Sequence, residues 1–235
     1  MTISFVISPP PQASLAVQGT GARFPVRRIF CVGRNYAEHV REMGNDEREP
    51  PFFFCKPADA VMDSGSTVPY PPDTQDLHNE VELVVAIGTG GRDIAPDAVR
   101  DHIWGAGVGI DLTRRDLQTV AKTMGRPWDF AKGFDHSAPI GPLKPIDETM
   151  TLDAGRIWLA VNGTVRQDAD LADMIWPVAE HVSKLSFSMA LEPGDLIMTG
   201  TPAGVAALEV GDAVTAEVAG IGTLSITIGP AKSDD

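Results

Sequence analysis

The sequence predicts an α+β fold: a mixed β-sheet roll with helices at its periphery. Short apolar runs recur along the chain, at Arg28–Val32, Phe52–Lys56, Glu80–Ile87 and Ile157–Asn162, with the composition of strands. Gly (23) and Pro (19) are scattered throughout the 235 residues as turn punctuation. Helical stretches are few and do not alternate with the strands, which argues against a doubly wound parallel sheet.

Residues 1–25 are polar and Pro-rich, with weak alternation in Ile3–Ile7, and are read as an N-terminal arm ahead of one catalytic domain over 26–230. Arg28–Val32 stops at Gly33. Asn35–Met43 has helical composition, ended by Gly44 and a charged loop over Asn45–Pro51. Phe52–Lys56 and Glu80–Ile87 are strands, the second stopped by Gly88-Thr89-Gly90-Gly91. Pro96 suits the first turn of a helix reaching about Trp104. Gly105–Leu112 is a Gly-rich strand, and Thr113 is placed to cap a helix to about Met124. A strand over Ile157–Asn162 turns at Gly163, and a helix follows Pro177. Short strands close the chain around Leu196–Met198, Ala213–Val218 and Thr223–Ile228.

Composition excludes several classes. Apolar residues make up 43 %, enough for a core without disulfides or structural metal, yet no run approaches the ~18 apolar residues of a membrane span. No basic n-region precedes an apolar segment at the start, so a cytoplasmic protein is expected. Cys31 and Cys55 each sit in an apolar run and are read as buried free thiols. A net charge of −13 argues against nucleic acid and requires local cations wherever an anionic substrate binds.

The chemistry concentrates in a few segments. In Leu77-His78-Asn79-Glu80-Val81-Glu82-Leu83, a strand puts Glu80 and Glu82 on one face, about 6.6–7 Å apart. The apolar run that follows argues for burial, where unpaired charge is expensive. Asp111 lies in another apolar strand, the Gly-rich Gly105–Leu112. Three carboxylates without a Cys/His cluster describe an oxygen-only site suited to Mg²⁺ or Mn²⁺ rather than zinc. His39 and Glu42 are three apart on a helix, the spacing of a carboxylate-oriented base, although an ordinary surface pair has the same spacing. Arg115 and Gln118 share a helix face by the same rule, and Lys132 sits among aromatics in Trp128-Asp129-Phe130-Ala131-Lys132-Gly133-Phe134. Thr199-Gly200-Thr201-Pro202-Ala203-Gly204-Val205 is a turn whose N–H groups and Thr201 hydroxyl are suited to an anion.

Taken together and in order, Cys31–Met43, Pro51–Pro57, Leu77–Leu83, Gly109–Gln118, Pro127–Lys132 and Thr199–Val205 resemble the fumarylacetoacetate hydrolase family over roughly residues 25–230. Within it, the run Arg126–Pro139 is most similar to bacterial fumarylpyruvate hydrolases. The resemblance implies a β-roll, a homodimer and one divalent metal. It implies Glu80, Glu82 and Asp111 as ligands, His39 and Glu42 as a water-activating dyad on a lid, and Lys132 as a further catalytic group. Gln118 and Thr201, with Lys132, are implied as substrate-holding groups. Charge balance against a dianionic substrate adds Arg115 and Arg34 or Arg126, and an arginine that the sequence does not single out is expected to meet the distal carboxylate. The family often carries His-His before the first metal glutamate, where this chain has His78-Asn79. The implied reaction is hydrolysis of a C–C bond in a 2,4-diketo acid, fumarylpyruvate plus water giving fumarate and pyruvate. Oxaloacetate decarboxylation and 2-hydroxydienoate isomerisation are alternatives on the same site, and an acidic divalent-ion-binding interaction domain is the non-enzymatic one.

Overall fold

The computed structural model describes residues 4–36 and 49–232. Its centre is an eight-stranded mixed sheet in the order Phe52–Lys56, Arg28–Gly33, Asp195–Met198, Val81–Ile87, Ile103–Ile110, Ala138–Ile140 and Val61–Asp63, with Lys144–Pro145 also paired to Ile103–Ile110. A five-stranded sheet runs Thr164–Asp170, Arg156–Val161, Ala213–Val218, Gly222–Gly229 and Thr67–Pro69. The expected mixed roll is observed.

The Val81–Ile87 strand is buried along its whole length because both faces are covered. Val81, Leu83, Val85 and Ile87 join the large core that includes Leu159, Ala216 and Leu224 of the five-stranded sheet. Val84 and Ala86 point the other way, into a smaller core with Ile29, Cys31, Leu196 and Met198. The alternation of side chains along a strand puts Glu82 on that second face, at the end of the strand where the apolar cover stops. Residues 13–25 contribute to the same core: Ser14–Ala16 pairs with Arg23–Pro25, burying Leu15 and Phe24.

Several expectations shift. The helix after Pro96 is only a 3-10 turn and Val99–His102, and Trp104 belongs to a strand, packed on Phe24 with ring centroids 5.0 Å apart. Thr113 does not cap a helix. It pairs with His78 in a small three-stranded sheet, its hydroxyl donates to the Asp111 carbonyl at 3.1 Å, and the helix spans Arg115–Met124. Thr164–Asp170 is a strand that its polar sequence conceals, joined to Arg156–Val161 by Asn162 and Gly163 at φ 52° and 77°, the left-handed pair of a tight hairpin. Cys31 is buried as expected, but Cys55 is exposed because Phe52–Lys56 is an edge strand. The helix after Pro177 spans Val178–Ser188. Among the described residues no helix is long and apolar enough to cross a membrane.

Candidate metal centre and active site

Glu82 lies on Val81–Ile87, Glu80 just before that strand, and Asp111 just after Ile103–Ile110. The two strands run antiparallel with Val81 opposite Ile110, and the Asp111 N–H donates to the Glu80 carbonyl at 2.8 Å. Each of the three residues offers a carboxylate oxygen within 4.8 Å of the others, and all three are buried. Burial, then the neighbouring Asp111 and Glu80, push the Glu82 carboxyl well above the usual range. The Gly200 N–H opposes this by donating to Glu82 Oε2 at 2.8 Å. The Gly200 N–H of the 199–205 turn is therefore committed to the protein's own Glu82.

That turn is locked from behind. Asn35 accepts from the Trp176 N–H at 2.8 Å and donates to the Thr199 carbonyl at 2.8 Å. Gly200 has φ 94°, and a Cβ there would meet the Asn35 Cβ at 2.7 Å, so only glycine presents this N–H to Glu82.

Three buried carboxylates repel unless cations join them, and among the described residues three cations pair with Glu80 and Asp111. Lys132 Nζ lies 2.6 Å from Glu80 Oε2 and 2.5 Å from Asp111 Oδ2. Burial alone would lower its pKa, but Asp111 and Glu80 outweigh that and raise it. Lys56 Nζ lies 2.7 Å from Asp111 Oδ1 and donates to the Leu112 carbonyl at 3.1 Å and to the Lys132 carbonyl. Arg115 pairs with Glu80 Oε1 and donates to Gln118 Oε1. Arg115 is steadied in turn by His78, which takes its Nε–H at 3.4 Å on Nδ1 and lies 2.8 Å from Asp76 Oδ1 through Nε2. Burial and Arg115 keep the His78 pKa low, so the neutral ring can accept from Arg115.

Hard oxygen donors of one charge, gathered in a buried cluster, fit a divalent cation such as Mg²⁺ or Mn²⁺. Arg34, Gln118 and Thr201 line the same cavity as the three carboxylates, Arg115 and Lys132. Arg34 sits at φ 58°, a left-handed conformation uncommon for a residue with a side chain and of the kind that gathers at functional sites. Arg126 is exposed and does not line the cavity. Asn79, in the place of the family's second histidine, is wholly buried. His39 and Glu42 lie outside the described residues. Lys56 was not foreseen from sequence. The signal was a lysine closing the apolar run Phe52-Phe53-Phe54-Cys55, where a merely solubilising lysine is out of place.

Residues 28–229 match the family described as fumarylacetoacetate (FAA) hydrolase C-terminal. The chain belongs to the fumarylacetoacetate hydrolase family. A family member similar along nearly its whole length is the fumarylpyruvate hydrolase from Pseudomonas aeruginosa, whose crystal structure is a complex with Mn²⁺ and pyruvate. It is 50 % identical, with a TM-score of 0.93, covering 97 % of this chain and 100 % of that one. Fumarylpyruvate hydrolase from Ralstonia sp is 42 % identical over 184 residues, 78 % of this chain and 95 % of the relative. Another member of the family, the mitochondrial oxaloacetate decarboxylase of Dictyostelium discoideum, is 38 % identical over 198 residues, 84 % of this chain and 91 % of the relative.

Proposed function

We propose that this protein hydrolyses fumarylpyruvate to fumarate and pyruvate with Mg²⁺ or Mn²⁺ held by Glu80, Glu82 and Asp111. The observation that carries the reading is the buried three-carboxylate cluster with its three balancing cations. With those cations already set against the carboxylates, a divalent cation leaves the site positively charged, as a substrate with two carboxylates requires. Lys56, paired with Asp111, adds to that positive charge. The 50 % identical relative in complex with Mn²⁺ and pyruvate supports the same ligand class.

The bound metal would serve as a Lewis acid towards the 2-oxo end of the substrate. The protein's own groups do the rest. Arg115, by donating to Gln118 Oε1, leaves the Gln118 Nε2 amide as the donor for the tetrahedral oxyanion. Lys132 holds Glu80 and Asp111 together. Arg34, at the rim of the cavity, takes the distal carboxylate. His39, oriented by Glu42, removes a proton from water, whose oxygen bonds to the distal ketone carbon. The bond from that carbon to the methylene then breaks, its electron pair leaves with the pyruvate fragment as an enolate, and a proton completes pyruvate. The dyad's role rests on its sequence spacing and the family resemblance.

Oxaloacetate decarboxylation is the second reading, favoured by the Dictyostelium relative. It needs the same metal site but no attacking water. Turnover of both substrates by His39→Ala separates the two. Fumarylpyruvate cleavage is expected to fall ~10²–10⁴-fold, the usual worth of a positioned base, and decarboxylation by less. Equal losses would overturn the water-activating role, and no fumarylpyruvate turnover by the wild type would overturn the function itself.

The chain is further proposed to act as a homodimer. Edge strand Phe52–Lys56 presents Phe52, Phe53 and Phe54 only partly buried, and Phe130 nearby is 83 % exposed. Sedimentation of the purified protein as a monomer would refute the pairing.

A further inference from the structure

We propose that Gln167 is a positioning residue that fixes the Thr201 hydroxyl as a hydrogen-bond donor into the active-site cavity and steadies the backbone on both sides of Glu80. Gln167 belongs to Thr164–Asp170, the outer strand of the five-stranded sheet, and is the one fully buried residue of that strand. The pairing shows how a polar edge strand comes to bury an amide. Leu159 pairs with Gln167 but Ala160 pairs with Val165, so Arg166 is an extra residue, a β-bulge. Bulges re-aim side chains, and this one turns Gln167 inward. Gly204 packs directly on the bulge: a Cβ there would lie 2.1 Å from the Arg166 carbonyl oxygen. That close approach seats the 199–205 turn beside Gln167.

The amide then makes four hydrogen bonds. Gln167 Oε1 accepts from the Val81 N–H at 3.0 Å and from Asn79 Nδ2 at 2.8 Å. Its Nε2 donates to the Pro202 carbonyl at 2.9 Å and to Thr201 Oγ1 at 2.8 Å. The sense of these bonds is dictated by chemistry. A backbone N–H only donates and a carbonyl only accepts, so Val81 and Pro202 leave one orientation of the amide. Both N–H bonds are therefore committed, and the Thr201 oxygen is an acceptor toward Gln167. A hydroxyl has a single proton. With its oxygen taking the Gln167 N–H, Thr201 keeps that proton for another partner, and it lines the cavity beside Glu80 and Glu82. A donor at that place suits an anionic oxygen, the carboxylate of a 2-oxo acid. Asn79 and Val81, the two residues that Gln167 grips, flank Glu80. This also gives Asn79 a purpose: it completes the clamp.

The inference rests on the proposed reading of Thr201 as a substrate group. The test is calorimetric titration of pyruvate into the Mn²⁺-loaded protein, for wild type, Gln167→Met, Thr201→Val and the double variant. Each single substitution is expected to weaken pyruvate about tenfold, the worth of one hydrogen bond to a charged group. The double variant should lose no more than either alone, because Gln167 acts on pyruvate through the Thr201 hydroxyl that Thr201→Val removes. Multiplying losses, or wild-type affinity in Gln167→Met, would overturn the positioning role. A purely structural defect would not show this dependence on Thr201. Should Gln167→Met not fold, Gln167→Glu takes its place in the same cycle. It keeps the acceptor for Val81 and Asn79 but, when ionised, loses the donors to Thr201 and Pro202, and the same two outcomes decide. Failure of the wild type to bind pyruvate would instead overturn the proposed function, and with it the anion-donor role of Thr201.

Discussion

Replacing Lys132 with Met separates the charge of its ammonium from the packing of its stem. The side chain is 2 % exposed and its Nζ bridges Glu80 and Asp111 at 2.6 and 2.5 Å. Methionine keeps most of the stem volume but removes the ammonium that bridges two of the three buried carboxylates, while Lys56 and Arg115 stay in place. Removing one partner of a buried ion pair costs about 3–5 kcal/mol. For a domain of this size each kcal/mol moves the midpoint by about 2–4 °C, so Tm in EDTA should fall by about 6–20 °C. Divalent metal should restore part of that loss. With no ammonium opposing it, Mn²⁺ should bind the variant more tightly, and each tenfold gain in affinity adds about 1.4 kcal/mol to its stabilising effect. Scanning calorimetry of both proteins in EDTA and in excess Mn²⁺ measures all four midpoints. The expected result is a larger Mn²⁺-induced rise in Lys132→Met than in the wild type. Equal rises would refute the idea that Lys132 and the metal answer to the same carboxylates.

Gly200→Ala should cost at least about 1–3 kcal/mol from the strained backbone alone, with more from the clash against Asn35, and should weaken Mn²⁺ binding as the N–H leaves Glu82; denaturant unfolding and Mn²⁺ titration check the two effects. Arg34→Met should lower kcat/KM for fumarylpyruvate about 10–100-fold while sparing acetylpyruvate, which has no distal carboxylate; equal losses on both substrates would reassign Arg34. His181 is wholly buried in the Val178–Ser188 helix, and its Nδ1–H donates to the Trp176 carbonyl at 3.0 Å. Burial lowers its pKa to about 4. The unfolded chain takes up a proton near pH 6.5 that the folded chain refuses until about pH 4. Stability should therefore fall by up to about 3 kcal/mol as pH drops through that window. His181→Asn, which keeps a donor near the same place, should lack this part of the slope in urea melts at stepped pH.

Much of this protein is legible in its sequence because the informative signals are local. Glu80, Glu82 and Asp111 are conspicuous as charges beside apolar strands, where only a shared counter-ion makes burial tolerable. Arg115 and Gln118 meet as their helical spacing requires. The strands at Phe52–Lys56 and Ala213–Val218 have the predicted bounds because their apolar or alternating residues report burial directly. What escapes is whatever depends on a partner distant in the chain. Trp104 changes from helix to strand because Val81–Ile87 and Phe24 lie beside it. Thr164–Asp170 has no strand signature because only Gln167 is buried along it. Lys56 reads as an end-of-strand lysine until Asp111, 55 positions further on, is brought against it. By itself the sequence determined the kinds of groups that would meet, the hard-oxygen character of the site and the roll that carries it. The tertiary structure alone decided the pairing of Lys56, Lys132 and Arg115 with the carboxylates, the Gly200 N–H aimed at Glu82 and the Gln167 amide set against Thr201. Each of these depends on distances between remote segments, and electrostatic and hydrogen-bond energies change steeply with such distances.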